Sequence, residues 1–174
     1  MSDERAVTHR YATSLTWAGS TGVGYASYDR THRLVRSGDA DDGTTGEGGP
    51  RLTLSSDPAF GGDATLTNPE ELLLAAASSC QLLSFLAVAA RARLDVTGYE
   101  DDAEAVMPED DPPLRITRVT LRPRVTVRVG DGRAEADVVA RVEHLAEVAH
   151  RECFVARALA CEVVVEPQVR VVTA

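Results

Sequence analysis

Polar and apolar positions follow two rhythms along this chain. Residues 11–18 (Tyr-Ala-Thr-Ser-Leu-Thr-Trp-Ala) alternate as a half-buried strand does. Gly19-Ser20-Thr21-Gly22 reads as a turn, and Val23 to Tyr28 resumes extended sequence, so a hairpin is expected. Arg33 to Arg36 and Arg51 to Ser55 predict further short strands, and Pro58 to Asp63 a loop. From Leu72 to Ala90 the alternation gives way to an almost continuous apolar run. Asn68 is a good N-cap for it, Pro69 suits the first helical position, and Glu70 and Glu71 complement the helix dipole. This predicts a helix to about Arg93, stopped before Gly98. A strand is expected around Tyr99 to Met107. Leu114 to Val129 then alternates β-branched residues with Arg and Thr, as a long strand interrupted near Pro123. After Gly130-Asp131-Gly132, Val138, Val142, Leu145, Ala149, Cys153, Ala156 and Ala160 recur at helical spacing, predicting a second helix over Ala134 to Ala160. Glu162 to Val172 closes the chain as a strand.

The order of these elements predicts an α+β fold, with two long helices packed on antiparallel sheet. At 174 residues the chain suits one domain, 1–174, within which 37–50 reads as a mobile, acidic, glycine-rich loop. The first helix is just long enough to span a bilayer. Ser78, Ser79, Gln81 and Ser84 lie in its middle, its composition is largely alanine, and strand-like sequence lies on both sides. A buried central helix is therefore the expectation, with no membrane partner.

Charge and cysteine content narrow the function. With 27 acidic and 18 basic residues the net charge is −9, which repels phosphate backbones and makes nucleic acid an unsuitable partner. The polar N-terminal stretch Met1-Ser2-Asp3-Glu4-Arg5 has no apolar core behind it, so a cytoplasmic location is expected. In that reducing compartment Cys80, Cys153 and Cys161 are not expected to form a structural disulfide set, and they contain no CxxC. His144 and His150 fall on opposite helix faces and fail as a metal pair; no cofactor is implied. His150 is one turn before Cys153, close enough to influence it.

Cys80 lies midway along the first apolar helix, among Ala77, Ser78, Ser79 and Gln81, and Cys153 lies in the apolar stripe of the second. Packing the two helices together would bring both thiols to one seam, within the roughly 7 Å between Cα atoms that a disulfide needs. Plain burial of two small hydrophobes explains the same spacing. Three polar groups close to the Cys80 thiol favour a site. A cysteine deep in a helix gains nothing from the dipole, so an arginine or protonated histidine from elsewhere must keep the thiolate.

The run Thr67-Asn68-Pro69-Glu70-Glu71-Leu72-Leu73-Leu74-Ala75-Ala76-Ala77-Ser78-Ser79-Cys80 resembles the Asn-Pro-Glu-Glu-Leu…Cys signature of the OsmC-like, organic-hydroperoxide-resistance family. His150-Arg151-Glu152-Cys153 resembles the second-cysteine helix of that family, and Trp17, Gly19 and the closing β-branched strand extend the likeness over most of the chain. The resemblance implies the OsmC-like fold as an intertwined homodimer. It implies a peroxidatic Cys80 that becomes sulfenic acid, a resolving Cys153, and a Glu70 that pairs with an arginine beside the thiolate. It also implies a small organic, lipid-type hydroperoxide as substrate, and a dithiol or lipoyl-protein as reductant. Glu70 and Cys80 lie about 15 Å apart along one helix, so a long arginine or a second chain must bridge them. The sequence departs from the family in three places. The turn 19–24 holds no arginine, which leaves Arg30, Arg33 and Arg36 as substitutes, with Arg33 the choice; Phe154 stands where members often have proline; and Gln81 stands where aromatic residues or histidine are common. These departures motivate the rival expectation, a non-catalytic ligand-binding or structural dimer. A general thiol–disulfide oxidoreductase fits less well without a CxxC.

Overall fold

The structure, a computed structural model, describes residues 11–19, 25, 27–36, 52–130 and 132–173. Two compact units divide the chain, Met1–Pro69 and Glu70–Ala174.

In the first unit β1 (Thr13–Thr16), β2 (His32–Arg36) and β3 (Leu52–Leu54) form an antiparallel sheet in that order. The expected strands at 11–18, 33–36 and 51–55 are all present. Most of the expected hairpin, and the 37–50 loop, lie outside the described residues; β1 pairs with β2, Thr16 opposite Arg33. Tyr25 and Tyr28, expected in extended sequence, lie instead in a turn and a bend. A single 3-10 turn, Pro58–Phe60, occupies the expected loop, capped by the Asp57 carboxylate, which accepts from the Ala59 N–H. Trp17 forms the wall of a pocket with Tyr25, Tyr28 and Arg30, and its indole N–H donates to the Asp29 carbonyl.

In the second unit α1 (Pro69–Arg91) is the helix announced by Asn68-Pro69-Glu70-Glu71. It ends two residues before the expected Arg93, and without a glycine. The Leu94 N–H bonds to the Ala89 carbonyl and the Arg93 N–H to the Ala90 carbonyl, closing the helix with Arg93 at φ 55°. Six strands follow or return over it: β4 (Asp95–Asp101), β5 (Glu104–Val106), β6 (Arg118–Leu121), β7 (Pro123–Val129), β8 (Glu162–Val165) and β9 (Gln168–Thr173). They make two three-stranded sheets, β4-β7-β9 and β5-β6-β8. The strand expected at 99–107 starts earlier, at Asp95, and divides between the two sheets. The interruption expected near Pro123 falls at Arg122, where the chain passes from one sheet to the other.

Pairing is antiparallel for β4–β7 and β5–β6, while β6–β8 and β7–β9 are parallel. The two helices α2 (Glu135–Glu152) and α3 (Phe154–Ala158) supply the crossover that parallel neighbours need. Inward positions of β6 and β7 are Val119, Leu121, Val125, Val127 and Val129, all buried. Outward positions carry Arg118, Arg124 and Arg128, which pair across the sheets with Glu162, Glu100 and Asp95. Such exposed pairs contribute about 0.2–1 kcal/mol each; the apolar face does most of the stabilising.

The apolar residues gather in two clusters. Phe85, Val88 and Ala89 of α1 pack with Val125, Val127 and Val129 and with Val138, Val142, Leu145 and Ala149 of α2. Ala77, nearer the start of α1, packs with Val119 and Leu121, bordered by Val155, Leu159 and Val163. Burial of α1 is one-sided: only 28% of its most apolar stretch is covered within the chain, where the sequence led to expect burial all round. Ala75, Ala76, Ser79, Leu83, Leu86 and Ala90 are left exposed as one helical stripe.

Candidate functional site

Cys80 and Cys153 both stand where the two clusters meet. On α1, Cys80 falls between Ala77 of one cluster and Phe85 of the other; Cys153 falls between Ala149 and Val155 in the same way. The packing that stacks α1 and α2 on two sheets therefore brings two distant cysteines to one boundary. Both are free thiols, Cys80 half-buried and Cys153 fully buried.

The local backbone differs from the expected continuous second helix. The chain is extended at Cys153 (φ −70°, ψ 113°), which ends α2 and starts α3. The break exposes the N–H groups of a new helical turn. The Val155 N–H donates to the Cys80 sulfur at 3.5 Å, and the Ala156 N–H to the Cys153 sulfur at 3.5 Å. Sequence reasoning gave Cys80 no help from any helix end; the help comes from another helix. No glycine or proline marks the break, so nothing local announced it.

Four groups act on the Cys80 sulfur against burial. Burial is the largest influence and raises its pKa, yet the Val155 N–H, the Cys153 thiol, the Phe154 N–H and the Ser84 hydroxyl together bring it below the ordinary 9.0. The Cys153 thiol is pushed up, first by burial and then by the neighbouring Cys80 sulfur, with the Ala156 N–H opposing. Cys80 is thus the more readily ionised of the two, and the Cys153 thiol donates to it. Ser84, four residues after Cys80, was legible as a helical neighbour and was passed over.

The polar residues read as a pocket around Cys80 divide their duties. The Gln81 amide is buried and donates to the Ala146 carbonyl at 3.2 Å, tying α1 to α2. The Ser78 hydroxyl donates to Asp101 at 2.5 Å, and the same carboxylate accepts the Arg122 N–H at 2.7 Å, at the passage between sheets. Ser79 is exposed.

Cys80 opens onto a cleft of about 450 Å³. Leu83, Ala87 and Phe154 form its apolar wall, and Arg91, Arg151, Arg157 and Glu152 its rim. Arg91 is paired with Glu152 at 2.8 Å. Of the other expected site residues, Glu70 lies in the first turn of α1, which runs unbroken to Arg91, so about 15 Å of helix separates it from Cys80. Arg33 is exposed on β2 of the first unit, opposite Thr16 and Thr53. The His150 carbonyl accepts the Cys153 N–H, and its ring Nδ1 is buried without a partner. Cys161 packs at the edge of the second cluster. Among the described residues no group of three His, Cys, Asp or Glu side chains could hold a metal ion.

The chain is similar to several known proteins. YmaD of Bacillus subtilis (strain 168), itself uncharacterized, is 28% identical over 123 residues, covering 70% of this chain and 80% of that protein. The solved structure of an OsmC-like protein of unknown function from Vibrio cholerae superimposes with a TM-score of 0.75 at 26% identity, covering 92% of this chain and 100% of the other. An organic hydroperoxide resistance protein from Elizabethkingia anophelis, at 17% identity and 94% and 98% coverage, shares the fold with a TM-score of 0.62. Residues 61–168 match the family model for OsmC-like proteins, a stretch that holds Cys80, Cys153 and the buried residues of both core clusters, and the chain belongs to that family.

Proposed function

We propose that this protein is a cysteine-based peroxidase that reduces organic hydroperoxides, with Cys80 peroxidatic and Cys153 resolving. The observation that carries the reading is the pairing of the two thiols, one lowered and open to a cleft, the other raised and buried as its hydrogen-bond donor. The Cys80 thiolate attacks the terminal oxygen of ROOH; the S–O bond forms, the O–O bond breaks, and the alkoxide leaves as alcohol after taking a proton. Cys153 then attacks the sulfenic sulfur, its proton leaving with the hydroxyl as water, and a disulfide joins the two. A dithiol such as a lipoyl-protein returns two electrons and two protons and restores both thiols. The apolar wall of Leu83, Ala87 and Phe154 suits an organic chain.

In this reading the protein works in the cytoplasm as a homodimer, a second copy covering the exposed α1 stripe of Leu83 and Leu86, 64% and 38% exposed respectively. On the family resemblance, Arg33 and Glu70 are proposed as an arginine–carboxylate pair that supports the thiolate, and Arg33→Gln should lower the peroxidase rate.

The decisive experiment follows cumene hydroperoxide consumption and titrates thiols before and after one equivalent. Wild type should lose two thiols per chain and regain them with a dithiol; Cys80→Ser should lose activity by orders of magnitude. Unchanged thiols, or a Cys80→Ser variant as fast as wild type, would leave a non-catalytic binding protein.

A further inference from the structure

A buried hydroxyl beside the two sulfurs has no duty in the site described above. The Tyr99 ring, on β4, lies against Phe85 of α1 with centroids 5.9 Å apart. It packs on the first apolar cluster, in which Ala149 stands one turn before Cys153. The phenol oxygen is buried and, among the described residues, has no hydrogen-bond partner. Buried tyrosine hydroxyls ordinarily find one, so an unmade bond there calls for a reason. Gln81 Oε1, also buried without a partner, can only accept, whereas the phenol has a proton to give. Asp101 is already engaged by the Ser78 hydroxyl and the Arg122 N–H. Burial, then the Asp101 carboxylate, then a charge on Cys153 hold the proton on the phenol, above the ordinary tyrosine range.

Cys153 faces the opposite demand. While Cys80 is the thiolate, the Cys153 thiol donates to it. Once Cys80 has become sulfenic acid that charge is gone, and Cys153 must itself ionise to attack. The residue is 0% exposed, so water does not solvate the new charge. The Ala156 and Val155 N–H groups favour it, yet burial outweighs them and the thiol stays raised. We infer from this placement that the Tyr99 hydroxyl turns to the Cys153 sulfur as that thiol ionises and donates a hydrogen bond to it, which makes Tyr99 a positioning residue of the resolving step. A bond to a desolvated thiolate is charge-assisted, and the phenol gives up no other bond in making it. Tyr99 keeps its proton throughout. The S–S bond forms, the S–O bond of the sulfenic acid breaks, and the Cys153 proton leaves with the hydroxyl as water. The inference rests on the proposed resolving role of Cys153, while the bond itself needs only a thiolate at that position.

The test uses Tyr99→Phe, which keeps the ring and removes only the hydroxyl. With one equivalent of cumene hydroperoxide the first thiol should be lost at the wild-type rate. Disulfide formation should slow about tenfold, as loss of one charged hydrogen bond predicts, and dimedone should trap more Cys80 sulfenic acid. A second measurement needs no peroxide. In a Cys161→Ala background, dithionitrobenzoate caps Cys80, and attack by Cys153 expels the cap as a coloured thiolate. That release should also slow about tenfold in Tyr99→Phe, with its pH midpoint moved upward. Cys80 on α1, Asp101 on β4 and His150 on α2 are the other ionisable groups around the pair, and both proteins keep all three. Thermal unfolding should stay level or rise, because an unpaired buried hydroxyl is lost. Equal release rates, a wild-type Cys153 that never expels the cap, or a fall in Tm showing the hydroxyl already bonded overturns the inference. If neither protein consumes the hydroperoxide, the peroxidase reading fails separately, and release of the cap still decides Tyr99.

Discussion

Cys80 sits inside an unbroken helix of 23 residues, whereas Cys153 occupies the gap between helices of 18 and 5 residues. The unbroken helix gives Cys80 no free N–H of its own, since each is used within the helix. The broken one provides several, and they serve both sulfurs. The contrast extends to exposure. Cys153 is 0% exposed while Phe154, the next residue, is 81% exposed, so the break turns the chain from core to solvent within one peptide. A rigid helix can thus present a nucleophile, and a neighbouring helix that is interrupted can tune it. The proposed division of labour between the two cysteines rests on their different burial and on the N–H groups that the break frees.

The strongest test of this contrast removes Cys153. In Cys153→Ala, peroxide consumption should stop after one equivalent per chain, with a sulfenic acid that dimedone traps. The Cys80 ionisation midpoint, followed by thiolate absorbance, should also rise, because the thiol donor is gone. Cys153→Ser keeps a donor and should hold the midpoint closer to wild type while still failing to turn over.

Stability against pH offers a second handle, and the two cysteines act with opposite sign. Cys80, lowered on folding, contributes stability that is complete above the ordinary 9.0 and is lost as pH falls through its folded value. Cys153, raised on folding, contributes stability that is complete below 9.0 and is lost as pH rises through its folded value. Chemical denaturation between pH of about 8 and 10 should therefore show Cys153→Ala losing less stability than wild type.

Smaller effects sharpen the picture. Ser84→Ala removes one donor from the Cys80 sulfur and should raise its ionisation midpoint without touching the helix break. Phe154→Pro should separate the two functions of the break. Cys153 is already extended, as a residue before proline must be, and proline favours the first position of a helix, so the break itself should persist. The same change deletes the Phe154 N–H and should raise the Cys80 midpoint. Finally Arg93→Gly, at φ 55° after α1, should stabilise by about 0.5–1 kcal/mol in thermal unfolding and leave both thiols alone.

Elements with local causes were legible. The Asn68-Pro69-Glu70-Glu71 entry, the alternation of β6 and β7 and the interruption beside Pro123 all follow from what a few consecutive residues prefer. The stripe of α1 that one chain leaves exposed was not legible, because composition reports how apolar a helix is, not how many of its faces one chain can cover. Parallel pairing of β8 and β9 was missed because it depends on where a crossover returns the strand. At the site, Cys80 and Cys153 were nameable, whereas Arg91, Arg151 and Arg157 were not singled out, since an arginine at a helix end reads as an ordinary surface charge.

By itself, then, the sequence determined that one sulfur lies within the first helix, where that helix begins, and that the strands after it present one apolar face. Only the tertiary structure decided that the second helix breaks at Cys153, that the freed N–H groups point at both sulfurs, and that three arginines gather at one cleft. The physical reason is range. Capping and alternation are set by neighbours in the chain, but a backbone that leaves a helix without proline or glycine is held there by partners 75 residues away, as the bond from Val155 to Cys80 is.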